Sequence, residues 1–106
     1  MYYIYMLRCK DNTIYTGITT DINRRFQEHK EKQREKSKYT ASHEVLKIDA
    51  LWDTMDKKSA CKLEYHIKRL SKKQKEEIIN DNCNLEVLLG KKIKIDLYKR
   101  IKNIKI

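Results

Sequence analysis

The sequence predicts a small α+β domain in the order strand, strand, helix, strand, helix, helix, followed by a basic extension. Three observations carry that expectation. Residues 2–8 and 13–17 are aromatic and β-branched and flank the turn-forming Lys10-Asp11-Asn12. Apolar residues recur at helical spacing after Asp21 and after Lys57, and Ser71 opens a capping pattern. Between the first two helices, residues 45–52 form a further apolar, β-branched run. With 106 residues, no Pro and two Gly, nothing marks a linker that would cut the chain in two.

The first two strands make a hairpin. Tyr5 and Tyr15 are ten residues apart, so they share a sheet face only if the loop has an odd residue count or the hairpin is bulged. Asn12 tolerates the left-handed conformation and suits a three-residue loop. Asp21 or Thr20 caps the first helix, which runs to about residue 35. Ile22 and Phe26 lie one turn apart on its inward side, and Arg25 and His29, also spaced by four, project from an adjacent stripe. A polar stretch, residues 36–44, leads to the third strand. In the second helix Ala60, Leu63, Ile67 and Leu70 define the buried face. Ser71-Lys72-Lys73-Gln74 has the form of a capping box and starts a third helix that ends near residues 80–82. These elements make a core domain of residues 1–82. Residues 83–106 form the extension, in which Ile93, Leu97, Ile101 and Ile104 fit one helix face although Ile93-Lys94-Ile95 alternates like a strand; the expected form is a packed helix with a cationic outer face.

The formal net charge is +10, and residues 91–106 hold seven Lys/Arg against one Asp. Such an excess favours a polyanionic partner, either nucleic acid or an anionic membrane surface, and the near absence of bulky aromatics from the extension disfavours the membrane. No apolar run approaches the ~20 residues of a membrane span, and no cationic region precedes the short apolar stretch at the N-terminus. A cytoplasmic protein is expected. Cys9, Cys61 and Cys83 form no C-x-x-C pair and are odd in number, which speaks for reduced, small packing residues rather than a disulfide framework or zinc site.

Several residues have a bland and a chemical reading. Glu64 borders the inward face of the second helix, where a carboxylate reaches solvent, pairs with Arg25 or Lys68, or serves as a metal ligand or acid/base. No cluster of carboxylates accompanies it, as a two-metal site would need. Tyr5 and Tyr15 either pack in the hairpin or act on a substrate. Arg25 and His29 are either a solvated basic face or phosphate ligands. Gly17 either ends a strand or lets the backbone approach a phosphate or adopt an unusual geometry.

In combination these residues resemble the GIY-YIG endonucleases. Tyr3-Ile4-Tyr5 stands in the place of the first tripeptide and Tyr15-Thr16-Gly17 in that of the second; Arg25 follows Tyr15 by ten residues, His29 follows Arg25 by four, and Glu64 comes 35 later. The string YTGIT and the IKRLS after the glutamate are similar to the short stand-alone bacterial branch, and the resemblance spans residues 2–80. It implies a three-stranded, mainly antiparallel sheet flanked by helices, and phosphodiester hydrolysis in DNA, with RNA left open, using one Mg²⁺ or Mn²⁺. By position, Glu64 would bind the metal, Arg25 would contact the scissile phosphate, Tyr5 or Tyr15 would orient or deprotonate the attacking water, and His29 would assist. Gly17, Arg24, Lys68 and Lys72 are further candidate nucleic-acid contacts. One carboxylate suffices because Mg²⁺ keeps most of its waters and takes substrate phosphate as ligand. A tyrosine base needs help, since at an ordinary pKa of about 10 only about one phenol in a thousand is ionised at neutral pH.

The chain departs from the family pattern in three ways. Tyr3 replaces the first glycine, Ile18 stands where some members carry a lysine, and Lys72, Lys73 and Gln74 occupy the region of a late asparagine. Two function classes follow: a metal-dependent, structure-selective DNA endonuclease of repair or processing, with a protein partner as one source of specificity, and a non-catalytic nucleic-acid-binding module on the same fold. The extension is expected to add phosphate contacts in either case.

Overall fold

The computed structural model describes residues 1–35, 44–102 and 104, so the polar stretch expected at 36–44 lies, Glu44 apart, outside the described residues. Strand β1 (Tyr2–Cys9) pairs antiparallel with β2 (Ile14–Thr19) on one side and with β3 (Val45–Thr54) on the other. A two-residue β4 (Lys99–Arg100) lies beyond β3, giving the order β2-β1-β3-β4. Because β1 is covered on both faces, its Ile4, Tyr5, Met6 and Leu7 are all buried, which is why it reads as a continuous apolar run.

Helices occupy both faces. Ile4, Met6, Ala50 and Trp52 meet Ala60, Leu63 and Ile67 of α2 (Lys57–Lys68), Ile78 of α3 (Lys72–Asn80) and Leu85 and Leu89 of α4 (Cys83–Leu89). On the opposite face Tyr5, Leu7, Cys9, Val45 and Leu51 meet Phe26 of α1 (Ile22–Glu35), with Ile22 packed against them. The helix starts use the capping side chains available to them. Asp21 Oδ1 accepts from the Arg24 amide at 3.1 Å, Asp56 Oδ1 from the Ser59 amide at 2.7 Å, and Ser71 and Gln74 form the reciprocal capping box. No helix among the described residues is long and apolar enough to cross a membrane.

The hairpin settles the phase of the two tyrosines. Cys9 N donates to Thr13 O and Asn12 N to Cys9 O, both at 2.9 Å, closing a three-residue loop with Asn12 at φ 69°. The register then sets Tyr5 opposite Gly17 and Leu7 opposite Tyr15, so both tyrosines point to the α1 face.

Three expectations need correction. The sheet has a fourth strand, because Lys99 and Arg100 pair with Asp53 and Trp52. The expected helix through Ile93, Leu97, Ile101 and Ile104 is not formed: α4 ends at Gly90, Ile93 joins the α2–α4 core, Leu97 is exposed, and Ile101 and Ile104 pack on the α1 side. Long-range partners override the local spacing here. Tyr98 donates its hydroxyl to Ser59 O at 2.7 Å, and Arg100 donates to the carbonyls of Ile78 and Ile79 at the end of α3 while its guanidinium lies over the Trp52 ring. Finally, Cys9 is buried as expected of a packing residue, but Cys61 and Cys83 are exposed.

Candidate active site

The site is assembled at the β2 rim of the sheet. Tyr5 comes from the central strand, and its ring lies across Gly17 of β2: a Cβ at Gly17 would stand 2.4 Å from the Tyr5 hydroxyl oxygen and 2.6 Å from Cζ. Both distances are shorter than real Cβ contacts allow. Gly17 has no positive φ, so what demands a glycine here is room for the tyrosine ring rather than an unusual backbone geometry.

Helix α1 crosses this same face and supplies Arg25 and His29 from one stripe. Arg25 Nε donates to the Tyr5 hydroxyl at 3.4 Å, and the hydroxyl lies 3.1 Å from His29 Nε2. A guanidinium can only donate, so the phenol oxygen accepts from Arg25 and is free to direct its own proton at Nε2, with the imidazole proton on Nδ1. Burial pushes the Tyr5 phenol above its ordinary pKa; Arg25 opposes that through its hydrogen bond and charge, while Tyr15 and Glu64 add to it. The phenol is therefore neutral, and any base role requires handing its proton onward as it takes another.

Tyr15 closes the cluster. Its ring centroid is 5.1 Å from that of His29 and 6.4 Å from that of Tyr5, and the residue is 44% exposed. With the His29 and Tyr5 centroids 5.9 Å apart, the three rings form a triangular cluster in which the imidazole meets a buried and an exposed phenol ring edge to face.

Glu64 comes from α2, on the other face of the sheet. Since β2 is the edge strand and α2 packs against it, helices on both faces present side chains at one rim. The Glu64 charge is felt by Tyr5, and of the two partners weighed from sequence it is Lys68, at 3.5 Å, that pairs with it. Glu64 keeps 23% of its side chain exposed. Among the described residues no group of three or more His, Cys, Asp or Glu could hold a metal by protein atoms alone. A single accessible carboxylate does fit a hard cation that retains waters and takes substrate phosphate oxygens.

The structure thus brings Tyr5, Tyr15, Arg25 and His29 together, with Glu64 alongside. Arg24 is exposed one residue before Arg25, and Lys68 is exposed one turn after Glu64. Lys72 instead opens α3 beside Glu76, whose carboxyl feels its charge. Gln74 is committed to the α3 cap. One participant escaped the sequence reading: Glu28 accepts from Arg25 Nη1 at 3.0 Å and lies 3.7 Å from Arg24 Nε. Its spacing of three and four residues from those arginines was the available signal.

The GIY-YIG catalytic domain matches residues 1–77, which contain both tripeptides, Arg25, His29 and Glu64, and the chain belongs to the GIY-YIG family. That membership supports a function of nuclease type. Its similar relatives carry the name UPF0213 and make up a stand-alone bacterial branch. UPF0213 protein FN1575 of Fusobacterium nucleatum is 43% identical over 96 residues, covering 89% of this chain and 94% of its own. UPF0213 protein BH0048 of Halalkalibacterium halodurans is 37% identical over 79 residues, covering 74% and 82%. The solution NMR structure of the BH0048 protein, under the organism name Bacillus halodurans, gives a TM-score of 0.49 at 37% identity over 76% of this chain and 84% of that one.

Proposed function

We propose that this protein is a divalent-metal-dependent DNA endonuclease that hydrolyses phosphodiester bonds, selects DNA by its structure and works in cytoplasmic DNA repair or processing. The observation that carries the reading is the line Arg25, Tyr5, His29: a fixed cation, a neutral phenol and an imidazole within hydrogen-bond reach, beside a lone carboxylate. A packing cluster has no need of that order. A phosphate hydrolase does, because it must neutralise developing charge and move one proton away from water.

Arg25 stays protonated, its pKa raised first by the Tyr5 hydrogen bond and then by Glu28, and it offers donors to the phosphate oxygens. Tyr5 takes the proton of the attacking water only as its own passes to His29 Nε2, which removes the need for a free phenolate. Tyr15, more exposed, lines the substrate side and packs edge to face against the imidazole. When bound, Mg²⁺ or Mn²⁺ on Glu64 supplies Lewis-acid stabilisation of the phosphate. A domain of this size has little surface for long sequence readout, so selectivity comes from DNA shape or a protein partner.

The test is cleavage of labelled single-stranded, duplex, flap and branched DNA with Mg²⁺, Mn²⁺ or EDTA, comparing the wild type with folded Glu64→Gln. Metal-dependent scission that falls by about a hundredfold or more in the variant is expected. Cutting that survives in EDTA or in Glu64→Gln refutes the assignment. Tight binding with no cutting in any condition replaces it with the non-catalytic binding module.

A further inference from the structure

Tyr65 follows Glu64 directly, and it is 55% exposed. The buried face of α2 is Ala60, Leu63 and Ile67, so at about 100° per residue Tyr65 falls on the crest opposite the core while Glu64 falls on the flank between them. A tyrosine on that crest has no core to fill. Its ring already makes the contacts of a stacking surface: the Arg69 guanidinium lies 5.2 Å from its centroid, and the His66 ring meets it edge to face at 5.2 Å.

The surroundings are cationic. Lys62 and Arg69 of the same helical neighbourhood and Lys92 from beyond α4 all act on His66, whose pKa is lowered by burial first and by these three charges after it. Apart from Glu64, α2 itself contains no acidic residue to balance them. An exposed aromatic with Arg69 against its ring and two lysines acting on the neighbouring His66 has the composition that binds single strands, where bases stack on the ring and cations follow the backbone.

We propose that the crest of α2 is a platform for single-stranded DNA, on which an unpaired base beside the cleavage site stacks on Tyr65 while Lys62, Arg69 and Lys92 take the neighbouring phosphates. A helix is about 10–12 Å across with its side chains, so a strand with its scissile phosphate at the Glu64 flank reaches the crest directly. The substrate class that follows is DNA with an unpaired segment next to the cut, such as a flap or a splayed junction. The position relative to the cut rests on the nuclease reading; the binding of single strands does not.

The experiment is therefore run in EDTA, with the full chain titrated into a single strand carrying 2-aminopurine and into a blunt duplex of the same sequence. Wild type should quench the 2-aminopurine and bind the single strand more tightly. Tyr65→Ala should remove the quench and weaken single-strand binding about tenfold, with Tyr65→Phe within about twofold of wild type and duplex binding unchanged in both. Lys92→Ala should lower the salt slope for the single strand by about 0.7. Unchanged quenching and affinity in Tyr65→Ala overturn the platform, as does an equal loss on duplex and single strand, or a change in self-association in place of DNA binding. Far-UV circular dichroism confirms that the exposed substitution leaves the fold intact. A chain that shows the Tyr65-dependent quench yet cuts nothing with Mg²⁺ sinks the nuclease reading and leaves the platform standing.

Discussion

Arg8, near the end of β1, and Arg25, on α1, both meet carboxylates, but their donors travel very different distances. Arg8 directs Nε to Asp49 on β3 at 2.7 Å, Nη1 to the Asn12 side chain in the hairpin loop at 2.9 Å, and both Nη atoms to Glu76 on α3. It is 13% exposed, and its charge is reinforced first by Glu76 and then by Asp49. Arg25 is 31% exposed and meets a neutral phenol and Glu28, one turn along its own helix. The contrast separates two uses of one side chain. Donors spent on two distant elements, β3 and α3, tie those elements to the hairpin, whereas donors held by a phenol and a near neighbour can be transferred to a phosphate with little loss of structure.

Replacing each arginine by methionine breaks the comparison most strongly. Arg8→Met strands Asp49, whose side chain is only 8% exposed, with Lys47 as its remaining ion pair at 3.4 Å. Urea unfolding should show a loss of about 2–3 kcal/mol, below the usual cost of stranding a buried charge because Lys47 stays and Glu76 is partly solvated. Arg25→Met should change stability by less than about 1 kcal/mol while lowering kcat/KM on DNA by about a hundredfold to a thousandfold. Equal stability losses in the two variants would mean that Arg25 is a structural residue as well. Gly17→Ala comes next: the added methyl meets the Tyr5 ring, and overpacking of this kind costs about 1–3 kcal/mol. Cleavage should fall further than stability does, since the displaced ring carries the hydroxyl between Arg25 and His29. A variant that unfolds earlier yet keeps wild-type cleavage would detach Tyr5 geometry from the reaction.

Local chemistry made most of this architecture legible. Asn12 announced the loop that brings Tyr5 and Tyr15 onto one face, Ser71 and Gln74 announced a helix start, and Arg25 and His29 shared a stripe because the helix period places them there. What was hidden depends on partners far away in sequence. Lys99 and Arg100 carry no strand pattern of their own; they become a strand because β3 offers an open edge and Arg100 finds the carbonyls of α3 and the face of Trp52. Ile93 and Ile101, eight apart, suit one helix face, but they serve opposite sides of the sheet. The reason for Gly17 was equally invisible, since only the folded register sets Tyr5 against it.

Acid sharpens the comparison on the Arg8 side. Arg8 holds the Glu76 carboxyl below its ordinary range, so the associated stability is present above the unfolded value near 4.3 and is lost as pH falls through the folded value. Glu76 is 38% exposed, which keeps this share small. Urea midpoints measured between about pH 5 and pH 3 should fall less steeply in Arg8→Met than in wild type. An identical slope would assign acid sensitivity to other carboxylates.

The smallest effect tests the other arginine, and it has the opposite sign. Glu28 pairs with Arg25 at 3.0 Å and Arg24 at 3.7 Å, so the carboxylate competes with DNA phosphate for both guanidinium groups. Glu28→Gln keeps the shape of the side chain and removes the charge, and DNA binding should tighten about twofold to fivefold, in keeping with two exposed helix pairs of about 0.3–0.5 kcal/mol each. Glu76→Gln should leave DNA affinity unchanged and lower stability instead, because Arg8 is spent on the fold. The split between KM and kcat then decides what Glu28 does. A lower KM with kcat retained means that Glu28 only shields the arginines until DNA arrives. A lower kcat means that it also holds Arg25 at the angle from which Nε reaches the Tyr5 hydroxyl, and that the Arg25 region, like the Arg8 region, depends on a carboxylate for its geometry.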